Sequence, residues 1–267
     1  MGDVFELHRG KGPLLVSAPH AGTLLPDEIA VRLTPPGRAL VDTDWYADRL
    51  YPFAESFGAS VLRARWSRYV VDLNRDPAGT VLYPGARTTG FVPAETFEGE
   101  PLYAPGDEPG TEETAARRER YFDPYHAALR DELARLKAAH GYALLLDAHT
   151  IWGRLPLLFD GELPDVNIGT NSGSSCDPRL TAAVASAAAG SPYSVVVDGR
   201  FKGGFITRGY GAPAQGVHAI QIEINQRTYL ADGSRAQWDD AKAAHLSRVL
   251  RTMCEALLVE AGTRRRP

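Results

Sequence analysis

Sulfur and basic charge are both scarce in this sequence, and each shortage excludes something. Two cysteines, Cys176 and Cys254, stand among 267 residues, too few and too far apart for a disulfide framework or a thiolate zinc site. The formal net charge is -4 and the pI about 6.0, so the concentrated basic face that nucleic-acid phosphates require is not expected. The one basic run, residues 264–266, reads as a solvated tail. No apolar run approaches the roughly 18 residues that cross a bilayer, and the opening MGDVFELHRGKG has no apolar signal core. The expectation is a soluble cytoplasmic protein without nucleic-acid or membrane partners. Serine and cysteine are also not placed around histidine as in a nucleophile elbow, which argues against covalent catalysis by either.

What is present is ordinary globular material, 44% hydrophobic and 23% charged, without internal repeats or a second composition class. One domain over residues 1–267 is expected. Residues 14–22, LLVSAPHAG, are a short apolar run ending in Pro19, His20, Ala21 and Gly22, where a strand must stop and turn. Residues 142–146 repeat the arrangement before Asp147, Ala148, His149 and Thr150. Both histidines thus leave probable strands at the edge where open α/β sheets bind ligands.

Other elements follow by pattern. One helical turn is expected around residues 27–33, a helix over WYADRLYPFAESFG with Gly58 as its stop, and strands at 59–63 and 69–73. Residues 79–110 are rich in Gly, Pro, Thr and aromatics and read as a functional lid or binding loop. Residues 111–140 are the clearest helix, with Phe122, Tyr125, Leu129, Leu133 and Leu136 at spacings of three and four. A short strand at 155–159, a loop at 161–176, a helix at 177–190, a strand at 194–197, a Gly-rich loop at 199–211, a strand at 219–224 and a helix at 238–259 complete the pass. Strands alternating with helices indicate an α/β domain.

The chemistry centres on His20 and His149, which could share a metal ion. Hydrolytic zinc sites commonly use two histidines and a carboxylate, leaving a position for water. The carboxylate could be Asp44, Asp42 or Glu28. Asp44 is preferred because it lies at the mouth of a short connection, although it could simply cap the helix after it. Glu223 stands among apolar residues in IQIEINQR, where burial without a partner is costly. It is either paired with Arg227 or Lys202, or it is the group that moves a proton. Asn74 and Arg75 end a strand and offer donors suited to a substrate carboxylate. Arg200, Lys202, Arg208 and Arg227 gather near the strand at 219–224, which suggests a small anionic ligand. His126 could pack against the long helix or line a pocket, and Asn171 sits in a polar turn open to either role.

The series LLVSAPHAG, DTDWYADRLY, SRYVVDLNR, TTGFVPAETFEGEPLY, RYFDPYHAALRDEL, GYALLLDAHT, LPDVNIGTN, GRFKGGFITRGYG and QIEINQRTYL resembles the N-formylglutamate amidohydrolase (deformylase) family over roughly residues 10–255. That family is similar in turn to the zinc carboxypeptidases and to the aspartoacylase and succinylglutamate desuccinylase group. The resemblance implies a three-layer α/β/α fold with a central mixed sheet, of the phosphorylase/hydrolase-like, zinc carboxypeptidase-like kind. Those relatives carry a strand-end His, an Asn-Arg pair, a second strand-end His and a later Glu, in the order of His20, Asn74 with Arg75, His149 and Glu223. They also place a Glu ligand three residues after the first His, where this chain has Thr23.

The implied activity is hydrolysis of N-formyl-L-glutamate to formate and L-glutamate, a late step of one bacterial route of histidine breakdown. It would use one Zn2+, or another divalent metal, held by His20, Asp44 and His149. Glu223 would move the proton, and Arg75 with some of Lys202, Arg208 and Arg227 would hold the substrate's carboxylates. Rival expectations are an amidohydrolase for another N-acyl amino acid or short peptide, and a non-catalytic protein that binds acidic amino acids.

Overall fold

Strands form where the apolar runs are longest. The computed structural model describes residues 4–80 and 87–263; the basic run at 264–266, and residues 81–86 of the expected binding loop, lie outside the described residues. In chain order the elements are β1 (Phe5–His8), β2 (Leu14–Ala18), α1 (Asp27–Ala30), α2 (Pro35–Arg38), β3 (Ser60–Ala64), α3 (Thr111–Arg117), α4 (Asp123–His140), β4 (Ala143–Ile151), β5 (Val166–Gly169), α5 (Pro178–Ala189), β6 (Val195–Val197), α6 (Phe205–Tyr210), β7 (Val217–Asn225) and α7 (Asp240–Thr263). A single π turn, Arg118–Phe122, joins α3 to α4, and the left-handed Gly141, at φ 76°, ends α4.

One seven-stranded sheet runs in the order β1-β3-β2-β4-β7-β5-β6. Its centre, β3-β2-β4-β7, is parallel. The β1-β3 and β7-β5 pairs are antiparallel, so the sheet is mixed. Every residue of β2 and β4 is buried, as expected of parallel strands covered on both faces.

Alternate residues supply the two faces. Leu14, Val16, Leu144, Leu146, Ile220 and Ile222 pack with Leu180 and Val184 of α5 and with Leu246, Leu250 and Leu257 of α7. Leu15, Leu145 and Ala219 pack on the other side with Tyr125, Leu129 and Leu136 of α4. Three layers result, α/β/α, with apolar burial on both sides of the sheet contributing about 25 cal/mol per Å2. No helix among the described residues is long and apolar enough to cross a membrane.

Several local expectations are corrected. The segment after Asp44 forms two 3-10 turns, Ala47–Leu50 and Ala54–Phe57, and not a helix. Tyr46 sits at a left-handed φ of 59° and Pro52 interrupts any continuous hydrogen-bond ladder. Residues 69–73 are a buried turn. Their apolar side chains serve the core beside α4 and do not pair in the sheet. Residues 155–159 also turn, while the expected loops at 161–176 and 199–211 contain β5 and α6.

Candidate active site

The site grows from one face of β4 and β7. That face is apolar under α4, at Leu145 and Ala219, and becomes polar two residues further along each strand. Asp147 pairs in register with Gln221, and His149 with Glu223. On β2 the turn after Ala18 carries His20, whose carbonyl accepts the Asp44 N–H at 3.2 Å. This bond folds the connection back so that Asp44 reaches the histidines.

His20, Asp44 and His149 form a buried group whose ligand atoms lie within 4.8 Å of one another. Asp44 Oδ2 is 3.0 Å from His149 Nδ1 and 3.8 Å from His20 Nδ1, and it accepts the Thr150 N–H at 3.0 Å. Each imidazole turns its other nitrogen to an acid. His20 Nε2 lies 2.7 Å from Asp72 Oδ1; His149 Nε2 lies 3.1 Å from Asp147 Oδ1 and 2.9 Å from the Asn74 amide nitrogen. A carboxylate behind a histidine fixes its tautomer and leaves the opposite nitrogen as a lone pair. His20 Nδ1 is such an atom, buried and without a hydrogen-bond partner. An unsatisfied buried acceptor costs about 1–3 kcal/mol. A two-histidine, one-carboxylate donor set with an open lone pair fits a divalent ion of the zinc type.

Charge within the site is balanced pairwise. Burial would raise the Asp72 carboxyl, but the Arg68 guanidinium and His20 hold it well below the usual carboxylate range. Burial works against the Asp44 carboxylate too, yet the His149 hydrogen bond and the surrounding cations keep it low. Burial and Arg68 push His20 down. Burial also disfavours a charged His149, but Asp147 and Asp44 outweigh it and hold that imidazole well above its ordinary value. Glu223 is the exception among the acids: burial pushes it up to about 8. One of its oxygens accepts from Gln221 Nε2 at 3.1 Å.

His20, Asp44, His149, Gln221 and Glu223 line one cleft, together with Arg68, Asn74, Arg75, Arg87, Thr89, Phe97, Arg200 and Phe201. Asn74 is clamped, its Oδ1 accepting the Ile206 N–H at 2.7 Å and its Nδ2 donating to Asp147 Oδ2 at 3.4 Å. Arg75 is aimed by neutral acceptors, Thr89 O at 3.0 Å and Thr89 Oγ1 at 3.1 Å. Arg200 donates to Leu158 O at 2.7 Å and stacks on Phe201.

Other expected residues stand elsewhere. Arg227 turns away on a 3-10 turn, Gln226–Thr228, and pairs with Asp165 at 2.8 Å and with Glu162. It is not the partner of Glu223. Lys202, Arg208 and Asn171 are not among the cleft walls; Arg208 Nε donates to Gly203 O at 2.8 Å, and Asn171 holds a left-handed turn at φ 52°. His126 is also outside the lining, bridging Leu73 O and Tyr210 OH at 2.8 Å each. Of the alternative carboxylates, Asp42 turns to the Phe97 N–H at 2.9 Å. Glu28 is exposed near Arg120.

Arg68, Asp72, Gln221 and Arg87 are site residues that the reading of the sequence did not single out. The signal for two of them was present: Arg68 and Asp72 bracket the apolar YVV of SRYVVDLNR, and charges in such a run must be paired when buried.

A sequence model of the family described as N-formylglutamate amidohydrolase matches residues 12–230. The N-formylglutamate deformylase of Pseudomonas aeruginosa is 50% identical over 261 residues, covering 97% of each chain. The Pseudomonas putida protein of the same name is 47% identical over 259 residues, again covering 97% of each. Among solved structures, the N-formylglutamate amidohydrolase of Ralstonia eutropha superposes with a TM-score of 0.80 at 27% identity, covering 98% of both chains.

Proposed function

This chain belongs to the N-formylglutamate amidohydrolase family, and from that premise we propose that it hydrolyses N-formyl-L-glutamate to formate and L-glutamate. The observation that carries the reading is the placing of Glu223, Arg75 and Arg200 around a buried His20, Asp44 and His149 group in one cleft. A divalent ion, in the first instance Zn2+, would be held by His20, Asp44 and His149, and would act as a Lewis acid on the formyl oxygen and lower the pKa of water.

The residues supply the rest. N-formyl-L-glutamate carries two carboxylates, and Arg75 and Arg200 give the cleft cations to bind them, while Arg87, also in its wall, is paired with Glu95. Asn74, held by Ile206 and Asp147, braces His149 at the wall of the cleft, its amide nitrogen 2.9 Å from Nε2. Fixing the substrate amide in the cleft converts the attack of water into a step within one complex. Glu223 takes the proton from the attacking water, and the water oxygen forms a bond to the formyl carbon. Glu223 then delivers that proton to the amide nitrogen as the carbon–nitrogen bond breaks, releasing formate and the amine of glutamate.

Glutamate release from N-formyl-L-glutamate, measured before and after chelation and with Zn2+ restored, tests the proposal. Loss and recovery of activity is the expected result. No turnover by fully metallated protein, with turnover of acetyl or succinyl glutamate instead, would overturn the substrate assignment.

A further inference from the structure

Arg68 is 5% exposed and lies between two acids. Its Nη2 donates to Asp72 Oδ2 at 2.6 Å and its Nη1 to Asp44 Oδ1 at 3.5 Å. The guanidinium rests over the Phe97 ring, 4.8 Å from the centroid. Both acids divide their oxygens in the same way. Asp44 gives Oδ1 to Arg68 and keeps Oδ2 for the Thr150 N–H and the two histidine Nδ1 atoms. Asp72 gives Oδ2 to Arg68 and Oδ1 to His20 Nε2.

One planar fork therefore restrains two of the three groups around the ion site. It holds Asp44 directly, and it holds His20 through Asp72. A carboxylate with one oxygen turned to a buried guanidinium has its plane set, and so which oxygen it presents to a cation. A lysine ammonium lacks the fixed geometry to hold two acceptors this way.

We propose that Arg68 is a positioning residue for the ion: it turns Asp44 so that Oδ2 is presented toward the two histidines and, by way of Asp72, holds the His20 ring with Nδ1 toward the site. The inference rests on the metal reading above.

The test uses the full chain as wild type, R68Q, R68K and D72N. Co2+ affinity is measured by competition with a chromophoric chelator, coordination by the visible spectrum of the cobalt-loaded protein, and folding by the melting temperature without metal. R68Q is expected to weaken Co2+ binding about 10- to 100-fold, the usual effect of removing a group that orients a ligand. Its cobalt spectrum shifts as Asp44 becomes free to turn. R68K keeps part of the affinity without the wild-type spectrum, whereas D72N loses affinity but keeps the spectrum, because Asp44 is still tied. In steady state, R68Q lowers kcat more than it raises KM. A folded R68Q with wild-type affinity and spectrum overturns the inference, as does raised KM at unchanged kcat, which would make Arg68 a substrate-carboxylate group. Should R68Q fail to fold, unchanged affinity in D72N overturns the inference. Wild-type protein that binds no Co2+ overturns the metal reading itself.

Discussion

Glu223 lies opposite His149 in the register of two neighbouring parallel strands, so the acid faces the ion site without belonging to the His20, Asp44 and His149 group. On the proposed reading, a proton carrier and an ion ligand would thereby have separate side chains on neighbouring strands. E223Q keeps the shape and burial of the side chain while removing its basicity. The expected result is a fall in kcat of about 100-fold or more, with metal content unchanged by atomic absorption. Loss of metal together with activity would instead make Glu223 part of the ion's shell.

Asp42 and Asp44 are two residues apart and differ in what they touch: Asp44 faces His149, while Asp42 accepts from Phe97. D44N is expected to lower ion affinity at least tenfold, whereas D42N should leave it within a few fold. Isothermal titration of metal-free protein distinguishes them, and the reverse ranking would reassign the carboxylate ligand.

The arginines divide in the same manner. R75M and R200M are expected to raise KM for N-formyl-L-glutamate roughly tenfold or more, because each removes a cation from the cleft wall. R227M removes only the pairs with Asp165 and Glu162, and its KM should match wild type. Initial-rate measurements over a range of substrate concentration decide it.

His126 should impose an acid limit on stability. Burial pushes its imidazole down to about 4 from an ordinary 6.5, so the folded state holds it neutral. Its contribution is fully present above pH 6.5 and is lost as pH falls toward 4, because the unfolded chain takes up the proton first. The loss is on the order of 3 kcal/mol. Urea midpoints of wild type should fall over that interval, and H126Q should show a flatter acid limb. Equal slopes would remove His126 as the cause.

The central strands were legible because apolar runs are decisive where a strand is covered on both faces: β2, β4 and β7 lie where the runs lie. His20, His149 and Glu223 stood out because polar residues in or just after such runs need a reason. The same signal misleads at residues 69–73, where Tyr69, Val70, Val71 and Leu73 are apolar because they fill the space beside α4. Nothing local distinguishes that turn from a strand. The cations were less legible for a related reason. Arg227 is four residues from Glu223 in sequence, but the 3-10 turn after β7 carries it to Asp165. Arg87 stands in a sequence stretch without clear periodicity, so its place in the cleft wall could not be read from the chain.

The contacts that hold the site together are long in sequence: Asp44 meets His149 across 105 residues, and Ile206 meets Asn74 across 132. Loops of that length close late, since their entropy must be spent before the contact returns anything. No short piece of this chain holds more than a part of the ligand set, so a nascent or partly unfolded chain would offer an ion only scattered side chains. On the proposed reading, ion binding and catalytic competence would therefore be acquired together with the complete sheet. In a refolding experiment, the return of activity should follow the last step of assembly and not the first appearance of helix.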